Sequence, residues 1–383
     1  MTMRELTYQV SFNTPAFLGN AEQQAQWRTP PFKALLRQWW RVVKAPDVGY
    51  DHHKLLQLEN ALFGSAADDS GDGHGKSGRS KVQLRLSAWD AGTLTDLPQM
   101  VTHQHTEVKN RQTGQLVPVG TAVYLGFGPV TTHSIRNAIA PGGSALAFKI
   151  RCPDSEADAL RKAMQLAAWF GSVGSRARNG WGSLHIEGEG VLGFEGLCDT
   201  KLTEQAVPRS LHAALGDRLA AEWPHALGLC ADDRPAVWRV FAARRQNAEG
   251  KTVFDGFKEW KQVLEKLAAL KIGFRTQFTL QGLRSPHQQV TDRHVLAYPV
   301  TNHGLVGLNN ARLASQARFK VAKNKDGQFF GLITHLPCAM PQAFFDRSAV
   351  RPPEISRQIE VWQQVHDFLN RQPATLITRI RKG

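Results

Sequence analysis

The chain has 383 residues, of which 42% are hydrophobic, so it can bury a substantial core and is not of disordered composition. Lysine and arginine (47) outnumber aspartate and glutamate (33); the net charge of +14 favours an anionic partner such as nucleic acid. Four scattered cysteines and the lack of a long apolar run argue against a disulfide framework, a zinc knuckle and a membrane span. We therefore expect a cytoplasmic protein without membrane contact.

The first predicted elements are a strand and a helix. Apolar residues alternate with polar ones in the strand, which ends near Asn13; they are Leu6, Tyr8, Val10 and Phe12. Pro30 and Pro31 then stand where a helix begins, and the pattern continues to about Lys44.

This helix has two faces. One is apolar and comprises Leu35, Leu36, Trp39 and Val43; the other, the basic stripe, comprises Lys33, Arg37, Arg41 and Lys44. No acidic residue within the helix interrupts the stripe, so we expect it to contact phosphate rather than form salt bridges, although a solvated face is the alternative. Trp40 lies between the faces and is a candidate for stacking on a base, while Trp39 fills the core. Two core tryptophans would be the simpler interpretation.

A second helical segment, Leu55 to Leu62, leads into a Gly/Asp-rich stretch between Ser65 and Ser80 that we expect to be flexible. Gly75-Lys76-Ser77 lies within it, but the spacing and the lack of a preceding strand exclude a P-loop. Its aspartates do not have the spacing of a calcium loop.

Four further elements complete the N-terminal half. They are a strand near residues 82–88, a strand near 146–150, a helix from Asp154 or Ser155 to Gly171, and a closing strand that begins at Trp181. Between the first two of these, residues 102–114 predict a protruding basic arm. The order strand, helix, strand, strand, helix, strand is that of a ferredoxin-like unit, a plan shared by many RNA-binding modules.

The stretch from Phe170 to Leu184, the glycine loop, is the strongest candidate site. Gly171, Gly174, Gly180 and Gly182 permit a tight turn whose N–H groups would be exposed to a ligand. Arg176 and Arg178 favour an anion, and Asn179 and Trp181 add a hydrogen-bonding and a stacking group. An ordinary glycine turn with two solvated arginines is the alternative.

The C-terminal half predicts a similar pattern after a linker from Asp199 to Arg209. The expected elements are a strand at 238–242, a helix at 254–270, a hairpin at 318–333 that turns at Asp326-Gly327, a helix at 355–369 and a strand at 375–380. We therefore predict an α+β protein of two ferredoxin-like (RRM-like, βαββαβ) domains, 1–198 with a long insertion and 199–383. Basic residues of this half would extend the basic track or face a neighbouring subunit; they are Arg312, Arg318, Lys320, Lys323 and Lys325.

Several motifs in register resemble a known family. They are Thr14-Pro-Ala-Phe-Leu-Gly19, residues 28–41, Glu59-Asn-Ala-Leu-Phe-Gly-Ser65, Ser80-Lys-Val82, Tyr124-Leu-Gly126 and the glycine loop. Together they resemble the RAMP superfamily of CRISPR proteins, and more narrowly the first subunits of the type III-B effector, the Cmr complex. The stretch between Phe63 and Ser80 is longer than the family pattern, and the C-terminal half matches less distinctively.

The resemblance implies a non-catalytic subunit near the guide-3′ end of a ribonucleoprotein. Its partners would be guide crRNA, target single-stranded RNA and other type III-B subunits, with no metal and no cofactor. The resemblance places the basic helix and the glycine loop along the RNA. The candidate RNA-binding residues are Arg28, Lys33, Arg37, Trp40, Arg41, Lys44, Lys81, Lys109, Arg111, Gly174, Arg176, Arg178 and Asn179.

Two other classes of function remain open. A guide-processing endoribonuclease would use histidine as general acid or base, and its candidates are His52, His53, His103 and His105. No matched nucleophile or acid set accompanies them, which favours ordinary loop histidines. A scaffolding subunit that contacts only protein is the third class, and the basic stripe argues against it.

Overall fold

Two four-stranded antiparallel sheets, each covered by helices, organise the protein. The computed structural model describes residues 2–65, 78–110, 112–280, 285–346, 348–373 and 377–380. None of the described helices is long and apolar enough to cross a bilayer. The prediction of a mixed helix and strand protein is confirmed.

The N-terminal half contains six strands and four helices within the described residues. In chain order they are β1 (Met3–Phe12), α1 (Thr29–Lys44), α2 (His52–Phe63), β2 (Gln83–Leu86), β3 (Thr102–His103), β4 (Val119–Gly120), α3 (Thr121–Gly126), β5 (Leu146–Pro153), α4 (Ala157–Phe170) and β6 (Leu184–Gly188). Asp51 caps α2 by accepting a hydrogen bond from the Lys54 N–H.

The first sheet has the strand order β2-β5-β1-β6. β1 is central because its backbone pairs with β5 on one side and with β6 on the other, and its alternating residues Leu6, Tyr8, Val10 and Phe12 are buried. Helices α1 and α4 pack together over the buried face, where Trp39 meets Phe170 with ring centroids 5.8 Å apart. β1 and α1 therefore form the platform from which the candidate site projects.

The C-terminal half contains six strands and six helices within the described residues. They are α5 (Asp199–Gln205), α6 (Leu211–Gly216), α7 (Arg218–Glu222), β7 (Val237–Val240), β8 (Ala243–Gln246), β9 (Thr252–Asp255), α8 (Trp260–Thr276), α9 (Asp292–Leu296), β10 (Ala317–Lys323), β11 (Phe329–His335), α10 (Ile355–Arg371) and β12 (Ile377–Arg379).

The second sheet has the order β10-β11-β7-β12, so its four strands are arranged as in the first sheet. Helix α8 lies between β7 and β10 in the chain, and α10 lies between β11 and β12. The predicted hairpin is confirmed, and Gly327 supplies the positive φ of 81° in its turn.

Three local predictions were wrong. The expected linker from Asp199 is a helix, α5, because Leu202 is buried against the core. The helix expected from Phe254 begins at Trp260, since Phe254 belongs to the hairpin β8–β9. Trp181 precedes β6 and does not belong to it. Residues 66–77, and with them Gly75-Lys76-Ser77, lie outside the described residues.

The two halves meet along the edge of the second sheet. The Phe319 N–H of β10 donates to the Arg178 carbonyl oxygen (3.0 Å), and the Val321 N–H donates to Ser183 Oγ (2.9 Å). The Asn13 side chain donates to the Val321 carbonyl oxygen (3.0 Å). β10 is an edge strand, so the N-terminal half covers backbone groups that would otherwise be unpaired.

His225 is a buried histidine whose surroundings require the neutral form. Arg209 Nη1 lies 2.9 Å from His225 Nε2, and an arginine can only donate, so Nε2 accepts. His225 Nδ1 faces the Trp223 carbonyl oxygen at 3.3 Å. Burial lowers the pKa of His225 to about 4.

Acidification should therefore destabilise the protein through His225. The stabilising effect of its depressed pKa is complete above about 6.5 and is lost as the pH falls towards about 4. In His225→Gln, the free energy of unfolding should depend less steeply on pH within that window, by up to about 1.4 kcal/mol per pH unit. Urea titrations of both proteins at several pH values measure the slopes. Parallel curves would contradict the assignment.

Candidate nucleic-acid interface

The basic stripe of α1 is paired with acidic residues, so the prediction of an unpaired stripe was wrong. Arg37 Nε and Arg41 Nη1 donate to Glu59 Oε1 at 2.5 and 2.7 Å, and the Glu59 side chain is fully buried. Lys44 Nζ lies 2.5 Å from Asp47 Oδ2. Neither partner belongs to α1, since Glu59 is on α2 and Asp47 follows the helix.

The rest of the stripe also stabilises the fold. Lys33 Nζ donates to the Phe63 carbonyl oxygen at 2.8 Å, at the last residue of α2, where helical carbonyls lack partners. The Arg41 guanidinium lies 4.7 Å from the centre of the Trp223 ring. Burial lowers the pKa of both Lys33 and Arg41. The side chains of Arg37, Lys44 and Arg41 are 34%, 21% and 14% exposed, and Lys33 is half-buried.

Trp40 is a core residue, which corrects its assignment as a base-stacking group. It is 1% exposed, and its ring meets Phe63 edge to face with centroids 5.6 Å apart. Trp39 is fully buried as well. Helix α2 covers the boundary between the two faces of α1, so neither indole ring is accessible to RNA.

The glycine loop is folded against itself and against β1. Gly174, Gly180 and Gly182 have positive φ (96°, 90° and 60°), as the glycine pattern predicted. A Cβ on Gly174 would lie 2.7 Å from the Phe17 carbonyl oxygen. The loop does not present bare amides as expected: nine of its N–H groups donate within the protein, those of Gly171, Val173, Ser175, Ala177, Asn179, Gly180, Gly182, Ser183 and Leu184.

Two of the predicted anion-binding side chains instead join the halves. Arg178 Nη1 donates to the Ser315 carbonyl oxygen (3.0 Å), and burial lowers the pKa of Arg178. Asn179 donates to the Leu125 carbonyl oxygen and accepts from Lys271 Nζ, both at 2.7 Å. Burial also lowers the pKa of Lys271, to about 7. These side chains are held by the protein and are half-buried, so they are not the bare anion-binding groups that the sequence predicted; their contact with RNA stays a prediction.

Arg176 is the loop arginine that remains accessible. Its φ of 59° is unusual for a residue other than glycine, and its Nε donates to the Phe127 carbonyl oxygen at 2.6 Å. Arg312 is exposed nearby, and together with burial it lowers the pKa of Arg176. Among the described residues, no carboxylate lies within salt-bridge distance of either arginine.

The exposed ring beside Arg176 was missed by the sequence analysis. Phe127 follows the last residue of α3, and it is 65% exposed. It directly follows the Tyr124-Leu-Gly126 motif, but a single exposed aromatic residue has no periodic signature. The structure thus brings together Arg176, Arg312 and Phe127, which the sequence did not connect.

The other candidates are dispersed. Arg28 occupies the N-cap position of α1 and is half-buried. Lys81 and Lys109 are exposed, and Arg111 lies outside the described residues. Lys109 is on the predicted arm, where it pairs with Leu116 in an antiparallel bridge. They do not form one continuous surface with the glycine loop through any described contact.

The four histidines do not converge on a catalytic arrangement within the described part of the chain. His103 Nε2 is 2.8 Å from Thr121 Oγ1, while His52 and His53 lie together, with His52 also against Trp223. Burial lowers the pKa of His52, His103 and His105. No group of three His, Cys, Asp or Glu side chains among the described residues could hold a metal ion.

Comparison with known proteins found a family match in the part of the chain that contains the basic stripe and the glycine loop. The sequence model of the RAMP superfamily matches residues 10–185. The match covers less than half of the chain, so the finding is a similarity of residues 10–185 to the RAMP superfamily. The RAMP region, residues 10–185, includes the last three residues of β1, strands β2 and β5, the basic stripe and the glycine loop, and it ends at the second residue of β6.

One curated relative matches over part of its length. It is the CRISPR system Cmr subunit Cmr1-1 of Pyrococcus furiosus, 26% identical over 163 residues, which are 42% of this chain and 40% of the relative. The alignment therefore spans less than half of that protein.

Solved structures show weaker overall likeness. The apo crystal structure of Cmr1 from Pyrococcus furiosus aligns with all of this chain and 99% of its own, at 16% identity and a TM-score of 0.45. A chain of the type III-B Cmr-beta complex bound to cognate target RNA aligns with 96% of this chain and 99% of its own, at 10% identity and a TM-score of 0.42. Both alignments are loose, so the similarity to this family depends on the sequence matches.

Glu59 should be essential to the stability of the basic stripe. Glu59→Gln keeps the size of the side chain but leaves Arg37 and Arg41 without their counter-ion, so the free energy of unfolding should fall by about 3–5 kcal/mol. The matched control is Asp47→Asn, which breaks the more exposed pair with Lys44 and should cost less than about 1 kcal/mol. Urea denaturation measures both. Equal small losses would show that the buried carboxylate is dispensable.

Proposed function

We propose that this chain is a non-catalytic RNA-binding subunit of a type III-B CRISPR effector complex. The RAMP region and the partial match to a Cmr subunit support the assignment to such a complex. In this role the protein lies near the 3′ end of the guide and contacts guide crRNA, target single-stranded RNA and neighbouring subunits. Its site of action is the cytoplasm.

We also propose that the chain consists of two ferredoxin-like units that divide near residue 198. If the four strands of each sheet are numbered along the chain, both sheets have the order 2-3-1-4, with a helix after the first and third strands. This is the arrangement of a βαββαβ unit. The arm that contains β3 and β4 is then the insertion in the first unit.

The observation that carries RNA binding is the pair of exposed arginines at the glycine loop. Arg176 and Arg312 come from the two halves of the chain and have no carboxylate partner among the described residues. Arginine donates in a planar fork that fits phosphate, and two nearby guanidinium groups repel each other until an anion lies between them. A phosphate of an RNA backbone provides that anion.

The basic stripe has a smaller role in this proposal than its composition suggests. Arg37 and Lys44 remain partly exposed and can reach phosphate with the donors that Glu59 and Asp47 leave unused. Lys33 and Arg41 chiefly hold α2 and the Trp223 segment against α1. Phosphate contact is therefore expected to be strongest at the junction of the halves.

We propose no chemical step on the RNA. A general acid or base must reach the proton that it transfers, and His103 instead faces Thr121 while His105 is buried. An endoribonuclease is the competing enzyme class. A subunit that contacts only protein is the competing class of scaffold.

The purified protein should bind single-stranded RNA without cleaving it. Each phosphate neutralised should contribute about −0.7 to the slope of log affinity against log salt concentration. Arg176→Ala combined with Arg312→Ala should flatten this slope by about 1.4 and leave the melting temperature nearly unchanged, because both side chains are exposed. Fluorescence anisotropy at several salt concentrations measures the slope.

Lys201→Ala is the matched control for removal of a positive charge. Lys201 is exposed on α5 and pairs with Glu204 (3.0 Å), away from the glycine loop in the chain, so its loss should leave the slope unchanged. Single-turnover assays with labelled RNA, with and without magnesium, test for cleavage. Cleavage that disappears in His103→Ala would favour the endoribonuclease. Unaltered RNA binding by the double arginine variant, with loss of subunit assembly, would favour the scaffold.

A further inference from the structure

Phe127 is the most exposed large hydrophobic side chain in the described part of the protein, at 65%. Exposure of a single phenylalanine is unremarkable in itself. The position of Phe127 is unusual, because its own carbonyl oxygen accepts the hydrogen bond from Arg176 Nε. The Arg176 guanidinium group is therefore held next to the backbone of the residue that carries the exposed ring.

The backbone at Phe127 is held firmly on both sides. Val130, which is buried, pairs with Phe127 in a β-bridge and donates its N–H to the Gly126 carbonyl oxygen at 2.9 Å. A Cβ on Gly126 would lie only 2.7 Å from the Val130 side chain, so the turn is tightly packed. Since the turn is anchored by Val130, the exposed ring is not needed to pack it.

Arg176 is held as firmly as the ring. Its left-handed backbone conformation is one that residues with a side chain adopt only at an energetic cost, and such strain often marks a functional position. Gly128 lies alongside: a Cβ there would be 3.6 Å from Arg176 Nη2. With Nε engaged by Phe127, the outer edge of the guanidinium group is directed away from that bond and remains for a ligand.

The surroundings of the ring fit a nucleotide better than a protein side chain. Protein interfaces usually surround an exposed aromatic residue with further apolar side chains. Here the residues that lie beside the Phe127 backbone are Gly128, next in the chain, and Arg176, which are small and positively charged. An aromatic face near an arginine that has no carboxylate partner is a combination that binds single-stranded nucleic acid.

We propose that Phe127, Arg176 and Arg312 form a subsite for one nucleotide of single-stranded RNA. The base stacks on the Phe127 ring, and an adjacent phosphate lies between the two guanidinium groups. This inference rests on the proposed RNA-binding function and assigns it to a defined place. Stacking requires only the face of a base, so the subsite accepts any base sequence.

The test separates stacking from charge. Phe127→Ala and Phe127→Leu should each weaken binding of a uridine oligonucleotide of about 15 residues by about 5- to 100-fold, the loss expected for one base–aromatic stack, with an unchanged salt slope. Phe127→Trp should retain or increase the affinity. Arg312→Ala should instead flatten the slope by about 0.7. An equal loss of RNA affinity in Phe127→Leu and Phe127→Ala distinguishes a stacked ring from a merely hydrophobic contact.

Trp89→Ala is the matched control, because Trp89 is another exposed aromatic residue of the N-terminal half (53%). It should leave the affinity unchanged, and thermal melts should show that all four variants at these two positions remain folded. On irradiation, RNA that carries 5-iodouridine should crosslink to the peptide containing Phe127. This crosslink should be absent in Phe127→Ala.

Three outcomes would overturn the inference. If the wild-type protein binds RNA but the Phe127 variants bind equally well, the subsite is wrong and the RNA-binding function stands. If wild-type protein, alone and in its assembled complex, binds no RNA, the proposed function fails and the subsite fails with it. If Phe127→Ala keeps its RNA affinity but no longer assembles with its partner subunits, the ring is a protein contact.

Discussion

The arrangement of the whole protein depends on a lysine that lies at the end of a helix. Lys320 Nζ donates to the carbonyl oxygens of Ala168 (2.6 Å) and Ala167 (3.2 Å), in the last turn of α4. The Ala167 carbonyl oxygen also accepts from the N–H of Gly171, the residue that caps α4 (2.7 Å), and the carbonyls of this last turn carry the negative end of the helix dipole. Burial lowers the pKa of Lys320 well below its ordinary value. The contact fixes the edge of the second sheet where the glycine loop begins.

Because the halves meet there, composition overstates the charge that the protein presents to a partner. Arg178, Arg318 and Lys320 all lie at the junction, where carbonyl or amide oxygens accept from them. Lys271 is held in the same way by Asn179. A cation of this kind contributes to the net charge of the sequence, but some of its hydrogen-bond donors are already used within the protein. The exposed pair Arg176 and Arg312 is therefore a better guide to the binding surface than the total of +14.

Local periodicity predicted most helices and strands, but it could not predict which side chains are exposed and without an ionic partner. Strand β1, helix α1 and the hairpin β10–β11 follow from alternation, helical faces and a turn glycine, which are properties of neighbouring residues. Pairing of the basic stripe depends on Glu59, which is separated from Arg37 by 22 positions. Likewise, Trp40 is buried by Phe63, which lies on another helix. Phe127 is likewise connected to the site by a residue that is distant in the sequence, since its carbonyl oxygen accepts from Arg176 Nε.

The predicted arm makes a second contact between the two halves, in addition to the contact at the glycine loop. Glu107, on the arm, forms a two-pronged ion pair with the nearly buried Arg293, and the Val101 N–H donates to Glu265 Oε1 at 3.0 Å on α8. The N-terminal half thus contacts the C-terminal half at the glycine loop and again at the arm. The peptide link near residue 198 is consequently not what keeps them together. A protease that cut the chain there would leave two fragments that remain associated, with the RNA-binding junction still assembled.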